Sequence, residues 1–320
     1  MKDMMKTLIR GTRFGRTVRR NAKRYLYNVR YRKVLQASDF PPEVWIENTN
    51  CCNARCVMCP RDKHTRPQGI MDFSTYARLI EEIALYKDAV KRIHLHNYGE
   101  PLLDKDLPRK VKFAKEKGIR HTYFVTNAAA LTPAMSRDLI EAGLDEFKIS
   151  FYGTDRETYN STMRGLDFGT TINNVKDFFR VRAELGVSKP RVIIQYLPQE
   201  SNKGRTDDFT AIFKDVIGKD SGDSMSIFSL HDFGEGGKND PWGDDICSIC
   251  NYPWRTMVIL HDGRVVLCCL DYNGVQTMGD VKKNSISEIW NSSAYTKARE
   301  DFKKLDYNGY PFCMKCELIR

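Results

Sequence analysis

From residue 42 onward, short apolar runs alternate with amphipathic stretches in a steady rhythm. Glu43–Asn48 (EVWIEN) reads as a strand. The stretch 73–87 (FSTYARLIEEIALYK) sets apolar residues three and four apart behind Asp72, a good cap, and reads as a helix. The pattern next predicts a strand at Arg92–His96, a helix at 104–117 ended by Gly118, and a strand at His121–Thr126. A helix at 133–142 ended by Gly143, a strand at Glu146–Phe151, and a longer helical stretch at 155–185 follow. The strand Arg191–Leu197, a helix near 205–217 and the strand Met225–Leu230 complete the series. Such alternation predicts a parallel sheet covered by helices. Six repeats fall short of the eight of a closed barrel, so the expected fold class is α/β, a partial (β/α)6 barrel open on one side.

The rhythm stops at residues 231–249 (HDFGEGGKNDPWGDDICSI), which are rich in Gly, Asp and Asn and read as a linker or loop. A small second unit is expected at 250–320. In it Met257–Leu260 and Arg264–Leu267 flank the turn His261-Asp262-Gly263, a helix lies near 285–304, and the chain reaches Cys313-Met314-Lys315-Cys316. The expected organisation is therefore an arm at 1–42, a barrel at 43–230, the linker, and the unit at 250–320.

Charge changes the picture only at the arm. The chain carries a formal +10, but residues 1–34 hold twelve Lys or Arg and one acid, while the rest hold 39 basic and 40 acidic side chains. A basic, partly apolar arm suits an anionic membrane surface, an acidic partner, or packing on the body; nucleic acid is not favoured. Hydrophobic residues at 41% and charged residues at 29% fit a globular protein with a sizeable core. No run approaches the ~20 apolar residues that span a bilayer, and no secretory signal is visible, so a cytoplasmic protein is expected, with peripheral membrane attachment through the arm as an option.

The cysteines carry the chemistry. All ten lie at positions 51–59 or 247–316, and none lies between. A disulfide framework belongs to small secreted domains, so this clustering points to two metal sites. Cys52, Cys56 and Cys59 form a C-x3-C-x2-C array directly after the first strand. Thiolates this close converge on a soft metal centre, and a four-iron cluster held by three of them keeps one iron open. Polar residues stand at the ends of the following strands: His96-Asn97-Tyr98-Gly99-Glu100-Pro101, Thr126-Asn127, Ser150-Phe151-Tyr152, and Gln195. In β/α folds such ends gather at one site.

These residues resemble the radical S-adenosylmethionine (radical SAM) enzymes, and within them the members with a C-terminal SPASM or twitch-type extension. The resemblance rests on the cysteine triad after a first strand, on Tyr98-Gly99-Glu100-Pro101 in place of the family's Gly-Gly-Glu-Pro, on Cys250-x12-Gly263-x4-Cys268, and on Cys313-x2-Cys316. It implies S-adenosylmethionine (SAM) on the open iron of a first [4Fe–4S] cluster. Gly99 and Glu100 would meet the methionine amino group, Asn127 and Ser150 the methionine or ribose, with Gln195 and Arg164 as further candidates. Met58 stands where the family often has an aromatic residue. Cys250, Cys268, Cys313 and Cys316 would hold a second, auxiliary [4Fe–4S] cluster, with four-cysteine zinc as the structural alternative. Cys51, Cys247 and Cys269 are left over; Cys247 or Cys269 could replace a ligand or donate a hydrogen atom. His94 and His96 are expected on opposite strand faces, His261 in solvent, and Trp242, Trp254 and Trp290 in packing.

The implied activity is removal of a hydrogen atom from a carbon of a polar small molecule, in a dehydrogenation or epimerisation of sugar or aminocyclitol type. Tyr152 and Arg164 are candidate bases, and a flavodoxin or ferredoxin the reductant. Maturation of a ribosomally made peptide is an alternative, although residues 1–42 look too short and too basic for a leader-binding domain. A non-catalytic electron-transfer protein is the third reading, and it leaves the polar strand ends without a purpose.

Overall fold

A computed structural model describes residues 35–198, 202–217, 222–228 and 248–316, with Tyr25 and Ile319. The basic arm, most of the linker and Cys247 lie outside the described residues. Through the barrel the chain runs β1 (Glu43–Ile46), β2 (Arg55–Cys56), α1 (Phe73–Leu85), β3 (Arg92–His94), α2 (Leu107–Glu116), β4 (Thr122–Thr126), α3 (Pro133–Glu141) and β5 (Glu146–Ser150). It continues through α4 (Arg156–Thr162), β6 (Met163–Arg164), α5 (Phe168–Glu184), β7 (Arg191–Tyr196), α6 (Thr206–Phe213) and β8 (Ser224–Ile227). The C-terminal part adds α7 (Tyr252–Arg255), β9 (Thr256–Ile259), β10 (Arg264–Val266), β11 (Thr277–Asp280), α8 (Ile286–Trp290) and α9 (Ser293–Lys303).

The signals that predicted these elements act as expected. The Asp72 carboxylate accepts from the Thr75 amide at 2.8 Å, and α1 buries Tyr76, Leu79, Ile80 and Ile83, one stripe of a 3.6-residue period. Gly118 and Gly143, at φ +83° and +82°, end their helices in the left-handed conformation that a side chain disfavours. Strands β1, β3, β4, β5, β7 and β8 pair in parallel, the partial barrel that the rhythm predicted.

Two helical stretches break where one was expected. Gly165, at φ +89°, interrupts 155–185. The two-residue strand β6 formed there pairs antiparallel with β2 inside the cysteine loop, Cys56 opposite Met163. The 285–304 stretch breaks at Ser292, whose side chain caps α9. The hairpin β9–β10 forms around His261–Gly263, but it does not build a sheet of its own. β9 pairs in parallel with β1, Val44 opposite Met257, and the sheet runs β11-β10-β9-β1-β3-β4-β5-β7-β8. One apolar core includes Val44 and Phe147 from the barrel and Trp254 and Trp290 from the C-terminal part.

Candidate active site

The loop after β1 is tied down before it presents its thiols. The Asn50 side chain donates to the Pro67 carbonyl (3.0 Å) and accepts from the Gly69 amide (2.9 Å), and the Thr49 hydroxyl donates to the Gly69 carbonyl (2.8 Å). The Cys59 amide donates to the Cys56 carbonyl (3.0 Å), a turn that brings those two cysteines together. Cys52, Cys56 and Cys59 all line one cavity of about 400 Å³. Burial raises the Cys52 thiol to about 11 and Cys56 to about 12, and raises Cys59 as well. Desolvated thiols of this kind become thiolates only against a bound cation. Three of them around an open cavity fit an iron–sulfur cluster that keeps one iron free of protein.

Met58, Gly99, Glu100, Asn127, Ser150, Tyr152 and Gln195 line the same cavity, so most of the residues expected at the site meet there. Gly99 is required by close approach: a Cβ on it would lie 2.1 Å from the Thr49 carbonyl oxygen. Glu100 is buried and accepts from the Thr126 hydroxyl (2.6 Å), the Asn127 amide (2.7 Å) and the Leu102 amide (3.1 Å). Burial outweighs these bonds and lifts its carboxyl to about 7. The Glu100 amide also donates to the Cys51 carbonyl (2.7 Å), so this one residue joins the end of β3, the end of β4 and the cysteine loop. Asn127 donates to the Asn53 side chain at 2.8 Å and adds a second tie. A Gly99→Ala change is expected to destabilise the fold by ~1–3 kcal/mol through overpacking and to weaken SAM binding. Thermal unfolding and equilibrium dialysis with SAM check both; an unperturbed variant would mean the loop has room to yield.

The Tyr152 hydroxyl donates to the Ser150 hydroxyl at 2.9 Å. Burial pushes this phenol up to about 12, so it stays protonated and suits a donor better than a base. Arg164 is exposed on β6 and is not among the cavity-lining residues; what it contributes is the backbone pairing that docks Arg55 and Cys56.

A second, small apolar cavity is lined by Cys250, Cys268, Cys313 and Cys316 together with Tyr252, Leu267, Phe302 and Phe312. Burial lifts Cys250 to about 12 and Cys313 well up. Four thiols around one apolar cavity fit the four thiolate ligands of a [4Fe–4S] cluster. Cys269, next in sequence to Cys268, lines the large cavity instead. Cys51 lines neither cavity; its sulfur lies 3.9 Å from the Gly69 carbonyl.

Comparison with known proteins agrees with both centres. The radical SAM superfamily profile matches residues 46–188, and SPASM, an iron–sulfur cluster-binding domain, matches residues 250–317. The chain belongs to the radical SAM superfamily. As a radical SAM enzyme with a SPASM domain, it uses SAM, a SAM-binding [4Fe–4S] cluster and an auxiliary cluster. A tungsten-containing aldehyde ferredoxin oxidoreductase cofactor-modifying protein of Pyrococcus furiosus is 23% identical over 86% of this chain and 87% of its own. The S-adenosyl-L-methionine-dependent 2-deoxy-scyllo-inosamine dehydrogenase of Niallia circulans is 24% identical over 86% and 92%. The crystal structure of BtrN in complex with AdoMet and 2-DOIA shares the fold, with a TM-score of 0.60 at 21% identity over 87% of this chain and 93% of that one.

A buried ion pair within the radical SAM part also holds the SPASM part through hydrogen bonds to Tyr272 and His261. Arg66, just after the cysteine loop, makes two 2.8 Å bonds to Glu47 at the end of β1. Its Nε donates to the Tyr272 carbonyl at 2.8 Å. His261 was expected in solvent but packs here: its amide donates to Glu47 at 3.1 Å, and its ring nitrogen lies 3.2 Å from the same oxygen. Burial by itself raises the Glu47 carboxyl; the bonds from His261 and Arg66 override it and hold the group at about 2. Tyr98, which replaces a family glycine, donates its hydroxyl to the Leu270 carbonyl at 3.1 Å and so ties the end of β3 to the SPASM loop.

Two further findings depart from the sequence reading. His94 and His96 lie on one face, both rings against Trp45 with centroids 4.2 and 4.8 Å away. The expectation of opposite faces fails because residues two apart on a strand point the same way. Trp45, Tyr123 and Lys148 line the cavity and were not anticipated. The signal was available, since counting back by two from Ser150 along Glu146–Ser150 lands on Lys148.

Proposed function

We propose that this radical SAM enzyme removes a hydrogen atom from a carbon of a polar small molecule of sugar or aminocyclitol type, as the first step of a dehydrogenation. When bound, SAM and the reduced cluster supply the 5′-deoxyadenosyl radical that takes the hydrogen. Cys52, Cys56 and Cys59 hold that cluster, and Gly99, Glu100, Asn127, Ser150 and Gln195 cradle SAM. Tyr152 orients Ser150 as a hydrogen-bond donor, and Arg164 positions the cysteine loop through β6. Cys250, Cys268, Cys313 and Cys316 hold the auxiliary cluster. A small redox protein such as a flavodoxin or ferredoxin delivers the electron, and the basic arm offers contact with an acidic partner or a membrane surface.

The observation that carries this reading is the cavity of about 400 Å³ beside the three thiols, within the range of small-molecule sites and lined by polar groups. The name of the Niallia circulans relative supports the same substrate type. Epimerisation is the second reading, and Cys269 favours it because this thiol lines the cavity. Its S–H would return a hydrogen atom to the carbon radical, and the sulfur would then be restored by one proton and one electron from the reductant.

Reconstituted, reduced enzyme is to be incubated in deuterated water with SAM and a panel of sugars and aminocyclitols. Dehydrogenation gives 5′-deoxyadenosine matched by a product two hydrogens lighter, with Cys269→Ser unaffected. Epimerisation gives a product carrying one solvent deuterium, lost in Cys269→Ser. If no 5′-deoxyadenosine forms under any condition, the enzymatic reading fails; if only peptides stimulate it, the maturase reading replaces this one.

A further inference from the structure

Below the residues assigned to SAM, the cavity has a polar floor that the reading above does not use. Trp45, His96, Tyr123 and Lys148 line it from β1, from just past β3, and from β4 and β5. Trp45 Nε1, His96 Nδ1 and Asn97 Nδ2 are buried and have no hydrogen-bond partner among the described residues, and His96 is only 6% exposed. Among the described residues, no ion pair or hydrogen bond reaches Lys148. Glu146, two positions earlier on the same face, is engaged by Arg191 at 3.1 Å and Arg92 at 3.7 Å. Buried polar atoms without partners are costly, but these three are closed to solvent, which leaves Lys148, among the described residues, as the unpaired cation lining the cavity.

The sign of this group selects the ligand. The Lys148 ammonium is a donor only. The one carboxylate lining the cavity, among the described residues, is Glu100, whose oxygens already accept three bonds. A ligand ammonium would therefore meet no free acceptor acid among the described residues, while an oxyanion would meet the Lys148 cation.

We propose that the substrate carries an oxyanion, a carboxylate or a phosphate, and that Lys148 binds it on the cavity floor. The proposal rests on the reading that this cavity takes a small molecule beside SAM, and within that reading it selects a sugar acid or sugar phosphate over an aminocyclitol, whose ammonium Lys148 would repel. Burial lowers the Lys148 pKa and outweighs the opposing pull of the Glu146 carboxylate.

The test uses the cluster-reconstituted protein with SAM bound. A limiting amount of N-acetoxysuccinimide labels its lysines, and mass spectrometry compares Lys148 with the exposed Lys105. Inorganic phosphate or acetate is expected to slow labelling of Lys148 by about tenfold, roughly the worth of one charge-assisted hydrogen bond. Methylammonium should have no effect, and Lys105 should not respond to either anion. Protection by phosphate alone assigns a phosphorylated substrate, and protection by acetate a carboxylate.

Calorimetry gives a second measurement: wild type binds the protecting anion, Lys148→Met loses it, and iron content and SAM affinity are unchanged. The proposal is overturned if neither anion protects, if SAM alone already protects Lys148, or if Lys148→Met binds the anions as wild type does. Neither readout depends on 5′-deoxyadenosine formation, so loss of the radical reading and loss of the anion site are separately visible.

Discussion

Cys56→Ser is expected to abolish 5′-deoxyadenosine formation and to lower iron from about eight to about four per chain, the content of one remaining [4Fe–4S] cluster. The argument runs through position as well as chemistry. Cys56 sits on β2, pinned by its pairing with Met163, and its thiol is buried against the cavity. A serine there keeps the backbone but offers a hard oxygen to a soft centre. The paired change Cys313→Ser with Cys316→Ser should remove the other half of the iron, because those thiols line the second cavity with Cys250 and Cys268. SAM cleavage should survive that change, since no cysteine of the second set lines the SAM cavity. Iron and sulfide quantification beside a 5′-deoxyadenosine assay separates the two centres. Full iron in either variant would show that the ligands are misassigned.

Arg66→Met is expected to destabilise the protein by ~3–5 kcal/mol, the cost of leaving a buried carboxylate without its partner. That corresponds to a fall in the thermal midpoint of roughly 5–10 °C. Glu47 and Arg66 side chains are 0% and 2% exposed, so solvent cannot replace the lost guanidinium. Glu47→Gln leaves the buried Arg66 guanidinium without its counter-charge and should cost a comparable amount. The pH dependence follows from the held-down carboxyl. With an ordinary value near 4.5 and a folded value of about 2, the Glu47 contribution is complete above pH 4.5 and is lost as pH falls towards 2. Chemical unfolding of the cluster-free protein at pH 7 and pH 3 should show this loss in wild type and a smaller one in Glu47→Gln. Because Arg66 and His261 come from different parts of the chain, Arg66→Met should also loosen the SPASM hairpin, read as faster amide exchange at His261 and Tyr272.

Much of the site was legible before any coordinates. The β/α rhythm implied six parallel strands, and strand ends in such a sheet share one rim, which brought Gly99, Glu100, Asn127, Ser150 and Gln195 to the cysteine triad. The resemblance to SPASM-type proteins singled out Cys250, Cys268, Cys313 and Cys316, and all four line one cavity. Gly165 hides its role in sequence, because a break in a helical pattern shows only as a weakened period. Its effect, docking β6 onto the cysteine loop, is a long-range pairing. Glu47, Arg66 and His261 were equally hidden, since nothing local marks a carboxylate whose partners lie 19 and 214 residues away.

By itself, the sequence determined the elements, their parallel order and the identity of the cysteines, because period, capping and ligand spacing act over a few residues. Only the tertiary structure decided that β9 extends the barrel sheet through β1, that Cys268 and Cys269 line different cavities, and that Lys148 lines the large one with no ion pair among the described residues. Those outcomes depend on which face each strand turns inward and on which distant groups already partner one another. Both are set when the sheet curves and its interior closes.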